Sequence, residues 1–154
     1  MTSNAIFHRP SVLVVDDESV IADTVTEILK HEGYAATAAY DSDGAIEAAL
    51  ITPPQLVISD VMMPGVNGIE LGIAIRRIFP DCKIILASGH SASRDLILAA
   101  LSAGDHFVFL EKPVFPHVLL KHVTEIFKPD NGEGSRKKPV AAKKELSIGE
   151  AAAS

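Results

Sequence analysis

Four short polar groups in this chain could do chemistry together: Asp16-Asp17, Asp60, Ser88 and Lys112. Each follows an apolar run of strand length. Asp16-Asp17 closes Val12 to Val15, Asp60 closes Leu56 to Ser59, Ser88 follows Lys83 to Ala87, and Glu111-Lys112-Pro113 follows Phe107 to Leu110. Three carboxylates crowded together repel one another, so the set needs a cation. Carboxylate oxygens, a backbone carbonyl and a few waters are what Mg2+ prefers. A lysine offers a point charge to a phosphoryl oxygen, and a serine hydroxyl donates a hydrogen bond to another. The chemistry that suits this set is phosphoryl transfer onto a carboxylate, with Mg2+ neutralising charge on the transferred group. Taken singly, each residue has an ordinary reading. Asp16 and Asp17 could cap a helix, Asp60 could cap a loop, Ser88 could sit in a turn and Lys112 could be a surface lysine.

The elements that must position these residues alternate along the chain. Met1 to Pro10 reads as a lead-in, and Val12 to Val15 as a buried strand. Ser19 is a fair N-cap for a helix with Val20, Ile21, Val25, Ile28 and Leu29 at helical spacing, stopped by Gly33. Tyr34 to Ala39 makes an alanine-rich, less buried strand. Asp41 or Ser42 opens a second helix through Ala45, Ile46, Ala49 and Leu50, which Pro53-Pro54 ends. The strand Leu56 to Ser59 then leads to Asp60 and a loop that Pro64 and Gly65 keep from becoming helical. A third helix spans about Asn67 to Phe79, and Lys83 to Ala87 is the fourth strand. The polar loop Ser88 to Ser91 precedes a fourth helix from about Ser93 to Ala103. Phe107 to Leu110 is the fifth strand and about Phe115 to Phe127 the fifth helix. Five strands alternating with five helices imply a parallel sheet covered on both faces. Right-handed crossovers then bring every strand's carboxyl end to one edge, where open α/β sheets bind ligands. That edge collects Asp16, Asp17, Asp60, Ser88 and Lys112.

Composition excludes several classes. Of 154 residues, 47% are hydrophobic and only 5% aromatic, which suits a core of Val, Ile, Leu and Ala. One cysteine, Cys82, allows neither an internal disulfide nor a multi-cysteine zinc site; it reads as a small apolar residue near a strand. No apolar h-region opens the chain and no run approaches membrane-spanning length, so a cytoplasmic location and no membrane contact are expected. Residues 1–128 carry 9 basic and 16 acidic side chains, net −7, whereas residues 129–154 carry 5 and 4, net +1. An acidic body argues against nucleic acid as a direct partner. The six histidines are scattered and take no assigned chemistry.

Four motifs in this order carry a resemblance: Asp16-Asp17 after strand one, Asp60-Val-Met-Met-Pro-Gly65 after strand three, Ser88-Gly89 after strand four, and Lys112-Pro113 after strand five. Over about residues 11 to 128 the chain resembles the response-regulator receiver domains of two-component signalling, of the stand-alone, chemotaxis-regulator-like kind. The resemblance implies a flavodoxin-like, doubly wound sheet of order 2-1-3-4-5. It implies that Asp60 is phosphorylated by a sensor histidine kinase or phosphotransfer protein. By the same resemblance Asp16, Asp17, Asp60 and the Met62 carbonyl hold Mg2+, Ser88 and Lys112 contact the phosphoryl group, and Lys112-Pro113 is cis. Ser88 and Phe109 would be the switch pair, Ser88 moving toward the phosphoryl group and Phe109 turning inward. A downstream protein or a second receiver would meet the face of the fourth helix, fifth strand and fifth helix, where Asp95 to Leu101 is apolar nearly all round. Such a domain catalyses only its own phosphorylation and dephosphorylation, so it is not an enzyme in the ordinary sense.

The chain also departs from the family pattern. Gly104 to Lys112 is one residue longer than usual, to be absorbed in the loop or as a bulge in strand five. Counting back from Lys112 makes Phe109 the switch aromatic; counting forward from Gly104 would make it Phe107 or Val108. Val114 stands where phenylalanine is frequent. From residue 129 the composition is Pro, Asn, Gly and Ser, then Arg136-Lys137-Lys138, Lys143-Lys144 and alanines, which suits a disordered solvated tail. No effector domain follows it, so a stand-alone or truncated receiver is expected. Two other readings are a Mg2+-dependent phosphatase with an aspartyl nucleophile and a receiver-like binding module that is not phosphorylated. The phosphatase would want Asp-x-Asp after strand one, which Asp16-Asp17-Glu18 does not supply.

Overall fold

The computed structural model describes residues 9–89, 93–102, 104 and 106–129. The expected polar loop at His90-Ser91, most of the lead-in and the tail from residue 130 lie outside the described residues. Strands β1 (Ser11–Val15), β2 (Ala35–Ala39), β3 (Leu56–Asp60), β4 (Lys83–Ser88) and β5 (Val108–Glu111) form one parallel sheet of order β2-β1-β3-β4-β5. Helices α1 (Ser19–His31), α2 (Ser42–Ile51), α3 (Gly68–Ile78), α4 (Ser93–Ser102) and α5 (Pro116–Ile126) alternate with them. This is the doubly wound architecture the alternation implied.

Both sheet faces are buried because neighbouring strand residues point to opposite sides. Leu13, Val15, Val57, Ile84, Leu86 and Phe109 pack with residues from α2, α3 and α4. Val12, Val14, Leu56, Ile58, Ile85 and Leu110 pack with Ala22 and Leu29 of α1 and with Leu119 and Val123 of α5. The near-continuous apolar strands follow from this two-sided cover. The alanine-rich β2 lies at the sheet edge and alternates buried with exposed positions.

The helix ends show which local signals won. Asp41, rather than Ser42, caps α2: its Oδ1 accepts the Gly44 N–H at 2.7 Å. Asn67 and Glu70 form a reciprocal capping box at the start of α3. At α1 the expectation of a Ser19 cap fails. Ser19 is the first helical residue and Glu18 the N-cap, with no side-chain cap. The Glu18 N–H donates to Asp16 Oδ1 at 2.9 Å, tying the helix start to the end of β1. The inward face of α1 also differs from the expected one. Ala22, Thr26 and Leu29 are buried, whereas Val20 and Ile21 face solvent. Thr26 is tolerated inside because its hydroxyl donates to the Ala22 carbonyl at 2.7 Å.

The extra residue before Lys112 is taken up ahead of β5. Register with β4 is unbroken from Ile85↔Val108 to Ser88↔Glu111, so there is no bulge. The strand therefore begins at Val108, one residue later than expected. Phe107 is left outside the ladder and buried against α3, where a Cβ on Gly72 would lie 3.1 Å from its ring. Arg76 holds it there: the guanidinium sits 5.0 Å from the Phe107 ring centroid and its Nη1 donates to the His106 carbonyl. On α4, Ala100 is buried, Leu96, Ile97 and Leu101 pack partly on the core, and Leu98 is exposed.

Candidate functional site

The carboxyl ends of β1, β3, β4 and β5 bring the predicted residues to one edge. Asp60 and Ser88 are the last residues of their strands rather than the first of their loops. Asp16 and Lys112 stand one residue past β1 and β5, each still held by a ladder-like bond. The Asp16 N–H donates to the Ala39 carbonyl at 3.2 Å, and the Lys112 N–H to the Ser88 carbonyl at 2.9 Å. Backbone regularity thus aims all four side chains.

Asp16, Asp17 and Asp60 each present a carboxylate oxygen, and these oxygens lie within 4.8 Å of one another. Lys112 joins them, its Nζ 3.1 Å from Asp60 Oδ2 and 3.9 Å from Asp16 Oδ2. Asp16 is buried, Asp60 half-buried and Asp17 exposed, so the cluster opens to solvent on one side. Burial pushes the Asp16 carboxyl above the usual carboxylate range. The Glu18 N–H and Lys112 oppose that shift, and Asp60 and Asp17 add to it. Ionised Asp16 is therefore costly until a cation shares the site. Three carboxylate oxygens gathered this closely are the hard oxygen donors that Mg2+ takes. Among the described residues no backbone N–H donates to the Met62 carbonyl.

Two glycines, Gly68 and Gly89, shape the site by close packing. A Cβ on Gly68 would meet the Asp60 carbonyl oxygen at 2.1 Å, so only glycine lets α3 start this close to β3. A Cβ on Gly89 would press on the Lys112 stem at 3.0 Å. Neither could be read from residue type, because the signal is the distance between two backbone segments. The Lys112-Pro113 peptide is cis, as the resemblance implied.

Ser88 is half-buried beside this cluster. Phe109 pairs with Leu86 and is buried, its ring edge-on to Phe107 at 6.1 Å. The Phe109 ring already lies inside, in the buried cluster that also holds Phe107 and Leu86. Cys82 is buried just before β4, and burial pushes its thiol up to about 11, which leaves it inert. No helix among the described residues is long and apolar enough to cross a membrane.

Comparison with known proteins agrees with this geometry. The family model described as "Response regulator receiver domain" matches residues 12–124. The chain is 37% identical over 98 residues to "Probable transcriptional regulatory protein TcrX" of Mycobacterium tuberculosis, covering 64% of this chain and 42% of that protein. It is 36% identical over 104 residues to the nitrogen assimilation regulatory protein NtrX of Azorhizobium caulinodans, covering 66% and 22%. The chain therefore spans less than half the length of these two relatives. Among solved structures, a CheY-like receiver domain protein from Methanospirillum hungatei superposes with a TM-score of 0.70 at 28% identity, over 77% of this chain and 93% of that one. With the motifs, the strand order and the family match in accord, the chain belongs to the response regulator receiver domain family.

Proposed function

We propose that Asp60 accepts a phosphoryl group from the phosphohistidine of a sensor histidine kinase or phosphotransfer protein. The observation that carries this reading is Lys112 Nζ at 3.1 Å from Asp60 Oδ2, inside a cluster where Asp16 and Asp17 bring their oxygens within 4.8 Å of Asp60. In the transfer an Asp60 oxygen forms the new O–P bond. The P–N bond to the donor imidazole breaks and its electron pair stays on nitrogen. Asp16, Asp17, Asp60 and the Met62 carbonyl would hold Mg2+, which when bound neutralises charge on the phosphoryl oxygens. Lys112 passes from the Asp60 oxygen to a phosphoryl oxygen, and the Ser88 hydroxyl donates to another.

The single charge of the Asp60 carboxylate gives way to the roughly 1.5 to 2 negative charges of the phosphoryl group, a net gain of roughly one beside β4 and β5. Ser88 moves toward it, and Phe109 is held in the inward position it already has. The output face is α4, β5 and α5, with Leu98 its exposed apolar residue, and its partner is a downstream protein or a second receiver. The acidic body favours a protein over nucleic acid there. The domain comprises residues 11–128. Intact mass after treatment with acetyl phosphate and Mg2+ tests the reading. One phosphoryl group is expected on the parent and none on Asp60→Asn; full labelling of the Asn variant would overturn it.

A further inference from the structure

We infer that Ser42 is a positioning residue for the metal site, fixing the β3–α3 loop so that the Met62 carbonyl stays within reach of the carboxylate cluster. The inference rests on the proposed reading of that cluster as a Mg2+ site. Ser42 is the first residue of α2, one past the N-cap position at which a hydroxyl ordinarily serves the helix end. Here Asp41 does that work, accepting from the Gly44 N–H at 2.7 Å. The Ser42 hydroxyl instead donates to the Val66 carbonyl at 3.0 Å, across 24 residues of sequence. Ser42 is only 9% exposed, so water competes little for the bond.

The loop has few other restraints. Its ends are pinned by Val61 N–H to the Ala87 carbonyl at 2.9 Å and Gly68 N–H to the Val61 carbonyl at 2.8 Å. The Met62 N–H bonds only to Asp60 Oδ1, at 3.3 Å. Pro64 has no N–H to give, and Gly65 sits at φ 77, where the backbone is softest. Met63 is anchored by burial in the core. The Ser42 bond ties Val66 to α2, an element outside the β3 and α3 that flank the loop. It comes from a rigid element, since Ala45 and Ala49 seat α2 in the core. Loss of this bond frees the stretch that carries the carbonyl ligand while the three carboxylates stay in place.

The test is Mg2+ affinity by calorimetry on the full chain, with thermal unfolding and amide hydrogen exchange measured alongside. Ser42→Ala is expected to weaken Mg2+ binding about 3- to 10-fold, the scale of one lost hydrogen bond. It should also speed exchange at Gly65 and Val66. Ser42→Thr, which keeps the hydroxyl, is expected to stay within about 2-fold of the parent. A merely structural role would lower the unfolding temperature and leave Mg2+ affinity alone. Parental affinity in Ser42→Ala, or equal weakening in the Thr and Ala variants, overturns the inference. Asp17→Ala separates it from the underlying reading. If that variant binds Mg2+ like the parent, the metal site itself is misplaced; if it fails to bind while Ser42→Ala is unaffected, only the role of Ser42 is wrong.

Discussion

At the scale of single residues, the site is an electrostatic conflict that a cation resolves. Asp16 carries most of the cost, being the buried member of three adjacent carboxylates. Its sign of pH dependence follows. In strong acid Asp16 is protonated whether folded or unfolded and contributes nothing. As pH rises through the ordinary aspartate range, the unfolded chain releases its proton first, because folding raises the Asp16 pKa. The folded metal-free protein loses stability across that window and is level again once pH passes the raised value. Mg2+ affinity rises over the same window, since the ligand must be ionised. Asp16→Asn should therefore raise the unfolding temperature of the metal-free protein by about 4 °C, the scale of roughly 1 kcal/mol in a domain this size. It should also remove most Mg2+ stabilisation. Scanning calorimetry with and without Mg2+ checks both, and a lower unfolding temperature in the Asn variant would contradict the account. The acidic and basic members of the site were legible in the sequence because each terminates an apolar run. The packing roles of Ser42, Gly68 and Gly89 were not, since they come from close approaches that residue type does not reveal.

At the scale of elements, β3 and the loop after it set the tolerance of the site. Gly68 is the tightest point, with the Asp60 carbonyl 2.1 Å from where a Cβ would be. Gly68→Ala must displace either α3 or the end of β3. A loss of about 1 to 3 kcal/mol is expected, the usual cost of overpacking, together with slower phosphorylation of Asp60. Urea unfolding and labelling rates measure the two, and a neutral result would mean the loop adapts freely. Element type and order followed the apolar periodicity closely, whereas helix faces did so less well. Val20 stands nine positions from Leu29, on the opposite side of the helix, and faces solvent, whereas Ala22 and Thr26 share the inward face with Leu29. On α4 the all-round apolar pattern resolves into one exposed leucine. Leu98→Glu should change stability by less than about 0.5 kcal/mol and leave Asp60 phosphorylation intact. It should weaken phosphorylation-dependent association measured by sedimentation; undiminished association would place the output surface elsewhere.

At the scale of the molecule, a parallel sheet of order 2-1-3-4-5 is what turns scattered polar residues into one site. Every strand delivers its carboxyl end to the same edge, so Asp16, Asp60, Ser88 and Lys112 meet although 96 positions separate the first from the last. Alternation and crossover handedness made that convergence legible before any distance was known. Where the extra residue ahead of Lys112 goes was not legible, because loop and bulge satisfy the count equally. In the structure it goes ahead of β5, where Phe107 packs against Gly72. The same convergence predicts which of the three clustered aspartates reacts, since Lys112 lies closer to Asp60 than to Asp16. Borohydride reduction of the acyl phosphate, which converts a phosphorylated aspartate to homoserine, reads this directly by peptide mapping. After acetyl phosphate and Mg2+, homoserine should appear at position 60 and nowhere else; homoserine at position 16 or 17, or phosphoryl uptake with position 60 intact, would contradict the account.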